Sequence, residues 1–175
     1  KNLTGPSLNL TDKEAGHLSA EWVRRGVCAA LNKQVHALVT APINKSRWAL
    51  AGINHPGHTE YLATLSGVQE TRMLFRARLP HRLAHRLTHP VLRIVLNTLH
   101  IPLKDVSSQM SYERLDQTLQ RSLAYLRTYE NISQPSIAVL GLNPHAGENG
   151  QLGFEDQEII TPVIQKYQKN GFSVE

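Results

Sequence analysis

The chain has 175 residues, 41% of them apolar, and a formal charge of +5 from 19 Lys and Arg against 14 Asp and Glu, which fits one ordinary domain or part of a larger one. No uninterrupted apolar stretch approaches the roughly 20 residues of a membrane helix, and no membrane partner is expected. A single cysteine, Cys28, excludes an internal disulfide and a Cys-based zinc site, and its place in an apolar helical pattern predicts a small buried hydrophobe.

The start, "KNLTGPSLNLTDKE", has neither an initiator Met nor the basic-then-apolar layout of a signal peptide, so a cut N-terminus and a cytoplasmic location are expected. Thr11 with Glu14 three residues on has capping-box spacing and opens a helix over about 12–32, with Leu18, Trp22, Val23, Val27, Ala30 and Leu31 on one face. "VHALVTAP", residues 35–42, is short, apolar and partly β-branched, and predicts a strand closed by Pro42. Two short helices follow, "NKSRWALAG" and "TEYLATLSG", each ended by glycine at Gly52 and Gly67.

"LRIVLNT", residues 92–98, is a second expected strand, leading into a loop through His100 and Pro102. Residues 111–129 repeat leucine at 115, 119, 123 and 126, the spacing of an amphipathic helix. "SIAVLGL", residues 136–142, predicts a third strand, buried on both faces. The last helix starts among three acids that suit its positive end, is bent or delayed by Pro162, and stops at Gly171. Strands alternating with helices predict an α/β layered domain with a largely parallel sheet. In such sheets sites lie at the carboxyl ends of strands, where "TAPINK", "NTLH" and "LNPHAGE" all fall.

His100 and His145 each follow an expected strand directly, with a proline nearby to stiffen the loop. Imidazole is the commonest metal ligand, so the pair fits a shared divalent ion; it also fits two unrelated loop histidines. "HPGHTEYLA" gathers His55, His58, Thr59 and Glu60 at a helix entrance, either a plain Thr59 N-cap or a receptor for a phosphate or carboxylate. Lys45 stands after a strand pattern and fits either a solvated helix lysine, the commoner fate, or a contact to an anionic substrate; P-loop and G-x-G-x-x-G spacings are both absent, as is any nucleophile elbow.

Residues 78–89 read "RLPHRLAHRLTH", and their Arg78, Arg82 and Arg86 account for three of the five net positive charges. His81, His85 and His89 would share a helix face, but Pro80 disturbs such a helix and no carboxylate stands near for support. A basic surface excursion is the expected role. With Phe75 the sole aromatic nearby, no nucleic-acid partner is expected, although a basic nucleic-acid module is the reading that salt-dependent DNA binding would favour.

Together, "VTAPINKSRWALAGINHPGHTEYLA", "NTLHIPLKDV" and "LGLNPHAGENGQLGFEDQEIITPVI" resemble the 4-hydroxythreonine-4-phosphate dehydrogenase family of pyridoxal phosphate biosynthesis, in the family's order and over essentially all of residues 1–175. The resemblance implies an α/β/α fold like that of isocitrate and isopropylmalate dehydrogenases, here an incomplete central part of a longer chain. It implies NAD- or NADP-dependent oxidation of 4-phosphooxy-L-threonine, then decarboxylation to 3-amino-2-oxopropyl phosphate, in a homodimer whose active sites lie at the interface. It further implies a divalent metal (zinc, magnesium or cobalt) held by three histidines. Carried over by motif, His100 and His145 are two of those ligands, and His58 and Thr59 touch the substrate. Asn143 and Glu148, flanking His145, are a further expectation as groups that orient the ligand loop. The third histidine belongs to a Tyr-His-Asp-Gln-Gly motif expected downstream of Glu175. Residues 76–90, longer than the family's usual connection, look like a tandem insertion of the Arg-Leu-X-His repeat. Oxidation of 4-phospho-D-threonate or D-erythronate, and a truncated non-catalytic remnant, are the competing readings.

Overall fold

The computed structural model describes residues 9–69, 71–80 and 90–175, in two compact units, one ending at Thr71 and the other beginning at Arg72.

The first unit is helical. Helix α1, Asp12–Leu31, starts on the expected capping box: the Thr11 hydroxyl accepts from the Glu14 amide, and the Glu14 carboxylate accepts from the Thr11 amide at 2.8 Å. Its buried face is only partly the expected one: Val23 and Val27 are buried as expected. Gly16, Ala20, Val23 and Val27 face inward, whereas Trp22 and Leu31 are 60% and 57% exposed. The cause is a close approach: a Cβ on Gly16 would collide with the Arg47 carbonyl of helix α2, Lys45–Leu50, so α1 turns its small residues to that neighbour. Cys28, one position beyond Val27, is carried round to solvent and is exposed, not buried as expected. Helix α3, His58–Ser66, completes a core of Ala20, Val23, Val27, Trp48 and Tyr61. Trp48 is fully buried, its indole N–H donating to the Ser19 hydroxyl at 2.9 Å.

Residues 35–42, expected as a strand, form none, and Val39 is 94% exposed. β-branched composition favours extended backbone, but a strand exists only when a neighbour takes up its hydrogen bonds, and no such neighbour is present among the described residues.

The second unit mixes strands and helices. Strands β1, Leu74–Arg78, and β2, Val91–Val95, pair antiparallel from Leu74 opposite Val95 to Arg78 opposite Val91. The Leu79 amide donates to the Pro90 carbonyl, so the hairpin is still closed where the basic repeat leaves and rejoins it. Residues 81–89, with the expected His81, His85 and His89 stripe, lie outside the described residues. Strand β2 keeps a continuous register with β1. Strand β1 has no counterpart in the expected elements.

Helix α4, Tyr112–Thr128, buries Leu115, Thr118, Leu119, Ser122 and Leu123, the expected stripe except Leu126, which is half-buried. Strand β3 is only Ser136–Ile137, parallel to β4, Ser173–Val174. A π-helical turn, Asp156–Ile160, precedes helix α5, Thr161–Lys169. Pro162 sits in the first turn of α5, where its missing N–H costs nothing, so the expected delay occurs. Leu115, Leu119 and Leu123 pack with Ile160, Val163, Tyr167 and Val174 into the second core. The α/β class therefore stands in incomplete form, with one antiparallel pair and one short parallel pair among the described residues.

Candidate functional site

The expected site residues fall in both units. In the first, Gly57 is the N-cap of α3 and supplies no side-chain bond, so His58 and Thr59 are the first two helical residues and Thr59 is not the plain N-cap. Amides at such a start lack intrahelical acceptors, the arrangement that attracts anions. The His58 ring sits edge-on to Trp48, with centroids 5.7 Å apart, and its buried Nε2 has no hydrogen-bond partner. The Lys45 Cε lies 3.9 Å from where a Cβ on Gly57 would be, placing its aliphatic stem beside this helix start. His55 stacks obliquely on Tyr61 instead, with centroids 5.1 Å apart.

In the second unit, β2 runs on to Asn97, whose amide oxygen accepts from the Thr118 hydroxyl of α4 at 2.7 Å, while its nitrogen donates to the Met110 sulfur at 3.2 Å. The hairpin is pinned beside it: Glu130 receives Arg93 at 2.6 Å, Arg76 at 2.8 Å and the Tyr125 hydroxyl at 3.0 Å. These arginines, Arg93 first and Arg76 next, hold the Glu130 carboxyl down at about 2, far below the usual range. His100, three residues past Asn97, is exposed and has φ +44°.

His145 is exposed at the head of a more unusual turn. Residues 145–149, His-Ala-Gly-Glu-Asn, all have positive φ, between 46° and 82°. Left-handed backbone costs a residue with a side chain roughly 1–2 kcal/mol, so the four such residues on either side of Gly147 must be held there by their surroundings. The buried Asp156 is one restraint. Its carboxylate accepts from the Leu142 amide at 3.0 Å, the Asn143 amide at 3.0 Å and the Asn143 side chain at 3.2 Å. Glu155 is a second, accepting from the Asn143 side chain at 2.8 Å and from the Ser107 hydroxyl. Those bonds, that from Ser107 foremost, lower its carboxyl below the usual range. Gly147 is a third: it is buried, and a Cβ there would collide with the Gly153 carbonyl.

Glu148 is exposed, and Asn143 is bonded to Glu155 and Asp156. Sequence reasoning assigned those two acids to the helix dipole alone. The available signal was their position, 10 and 11 residues past His145 with the flexible "NGQLG" between, a distance that permits the chain to double back. Among the described residues no group of three or more His, Cys, Asp or Glu is placed to hold a metal ion. Nor is any described helix long and apolar enough to cross a membrane.

Residues 4–175 match the family model described as pyridoxal phosphate biosynthetic protein PdxA. A 4-hydroxythreonine-4-phosphate dehydrogenase from Synechococcus sp. (strain RCC307) is 43% identical over 89% of this chain and 45% of its own. The crystal structure of the enzyme of that name from Klebsiella pneumoniae superimposes with a TM-score of 0.81 at 31% identity, over 100% of this chain and 50% of the other. One from Burkholderia phymatum does so with a TM-score of 0.75 at 32% identity, over 99% and 49%. The chain spans about half the length of the curated relatives it matches.

Proposed function

The chain belongs to the family of the pyridoxal phosphate biosynthetic protein PdxA, and on that premise we propose that it is a segment of a metal- and NAD(P)-dependent dehydrogenase that oxidises 4-phosphooxy-L-threonine, with loss of carbon dioxide to give 3-amino-2-oxopropyl phosphate. The parent protein works in the cytoplasm as a homodimer with its sites at the interface. The observation that carries the reading is the left-handed turn at His145, strained backbone that a merely connecting loop has no reason to keep.

His100 and His145 are the chain's own metal ligands. Two imidazoles suit zinc or cobalt as donors and require at least one more ligand to close a shell. A divalent ion, when bound, supplies Lewis acidity that lowers the pKa of a ligated hydroxyl and polarises a carbonyl. His58 and Thr59 bind the phosphate or carboxylate of the substrate at the start of α3, a reading supported by the helix start there and by the unpartnered His58 Nε2. Asn143 and Asp156 keep the His145 ring in place without touching substrate.

The test is His145→Ala in the full-length protein, following zinc content and NAD(P) reduction with 4-phosphooxy-L-threonine. Expected are loss of bound metal and a fall in turnover of about 10³-fold, the loss of several kcal/mol of Lewis-acid stabilisation. Unchanged metal content would overturn the ligand assignment.

A further inference from the structure

Two segments carry the proposed ligands, and one carboxylate touches both. The segment after His100 continues through short 3-10 turns at Leu103–Asp105 and Ser107–Gln109. The segment ahead of His145 contains Asn143. Glu155 accepts from the Ser107 hydroxyl on one oxygen and from the Asn143 amide on the other. The Asp156 carboxylate next to it accepts from Leu142 and Asn143, both in one segment, whereas Glu155 spans the two.

Resting on the metal-site reading above, we infer that Glu155 is a positioning residue that ties the His100 and His145 segments together and so sets the separation of the two imidazoles. A carboxylate suits this role because it is acceptor-only with two oxygens, and it accepts from a hydroxyl and an amide at once. Both histidines stand on left-handed backbone and are exposed, and a misplacement of a ligand by a fraction of an ångström costs affinity. The bridge also explains why the acid is wanted at the mouth of the π-helical turn, since the N-cap position of that turn makes no side-chain bond to its own helix.

The experiment uses the full-length protein with Glu155→Ala, Glu155→Gln, Ser107→Ala and the Ser107→Ala/Glu155→Ala double variant. Hydrogen exchange is followed on the metal-free protein, and zinc affinity is read by competition with a chromophoric chelator. Glu155→Ala is expected to speed exchange in both 101–109 and 142–150 and to weaken zinc roughly 10–100-fold, the usual cost of losing a group that orients ligands. Ser107→Ala should act in the same direction, and the double variant should be no worse than Glu155→Ala, because the bridge is lost once. Glu155→Gln should recover most of the affinity, its oxygen accepting from Asn143 and its amide donating to Ser107, which a role resting on the negative charge would not predict. Faster exchange confined to 153–157, or additive effects of Ser107→Ala and Glu155→Ala, would overturn the bridge. So would unchanged zinc affinity in Glu155→Ala beside lost affinity in His145→Ala. If exchange rises in both segments while neither Glu155→Ala nor His145→Ala alters zinc affinity, the bridge stands and the metal reading fails.

Discussion

At the start of α3, His58 and Thr59 stand on backbone that every helix adopts, whereas His145 stands on backbone that only its surroundings make tolerable. The first place is built by local rules. A helix begins, its leading amides are free, and Trp48 packs beneath the His58 ring. The second is built by long-range bonds, from carboxylates more than ten residues downstream to the amides ahead of the turn. An anion receptor can be made from a helix end alone, but an imidazole aimed at a fixed point from a loop needs an outside restraint.

The largest effect is expected from Trp48→Ala, which empties a fully buried site and should cost about 4 kcal/mol in urea unfolding. The His58 resonance in an NMR spectrum should shift with it, since the indole is its ring neighbour; a fixed resonance would show that α3 does not depend on that contact. Asp156→Ala should cost about 3 kcal/mol, because two loop amides are left without their acceptor. Exchange at Leu142 and Asn143 reports it directly, and a loss below about 0.5 kcal/mol, the range of ordinary surface changes, would mean that the turn holds itself.

His145→Gly should act the other way. Relief of the left-handed penalty, about 1–2 kcal/mol, outweighs the added freedom of glycine in the unfolded chain, about 0.5–1 kcal/mol. The variant should be more stable by about 0.5 kcal/mol while losing metal. A stability loss there would remove strain from the comparison. The smallest effect concerns acid. Glu130 titrates at about 2 instead of its ordinary 4.5, so its contribution is complete above pH 4.5 and is lost as pH falls toward 2. Glu130→Gln should therefore flatten the stability profile in that window, and an unaltered slope would show that the hairpin leading to His100 does not rely on this carboxylate.

Helix existence was legible throughout. The Thr11–Glu14 box, the leucine spacing of α4 and the place of Pro162 each act within one or two turns, and a local rule suffices to read them. Strands were less legible. Residues 35–42 have strand composition without a strand, and β1 was overlooked because "LFRAR" alternates apolar with arginine, whose partner Glu130 is more than fifty residues away. The inward face of α1 was misjudged for the same reason, since the closeness of α2 at Gly16 decides it. Among the expected site residues, the helix start at His58 and Thr59 was legible, whereas the bonds of Glu155 and Asp156 to the segment ahead of His145 were not.

What the amino-acid order determined unaided is where helices begin and end, which residues can ligate or cap, and which motifs stand in series. Those properties depend on neighbours within about four positions, where backbone geometry is shared by all chains. Tertiary structure alone decided which face of α1 is buried, that Glu130 gathers two arginines, and that His145 is held left-handed by acids that double back on it. Each of these is a contact between distant residues whose energy exceeds a local preference, and a local pattern carries no record of it.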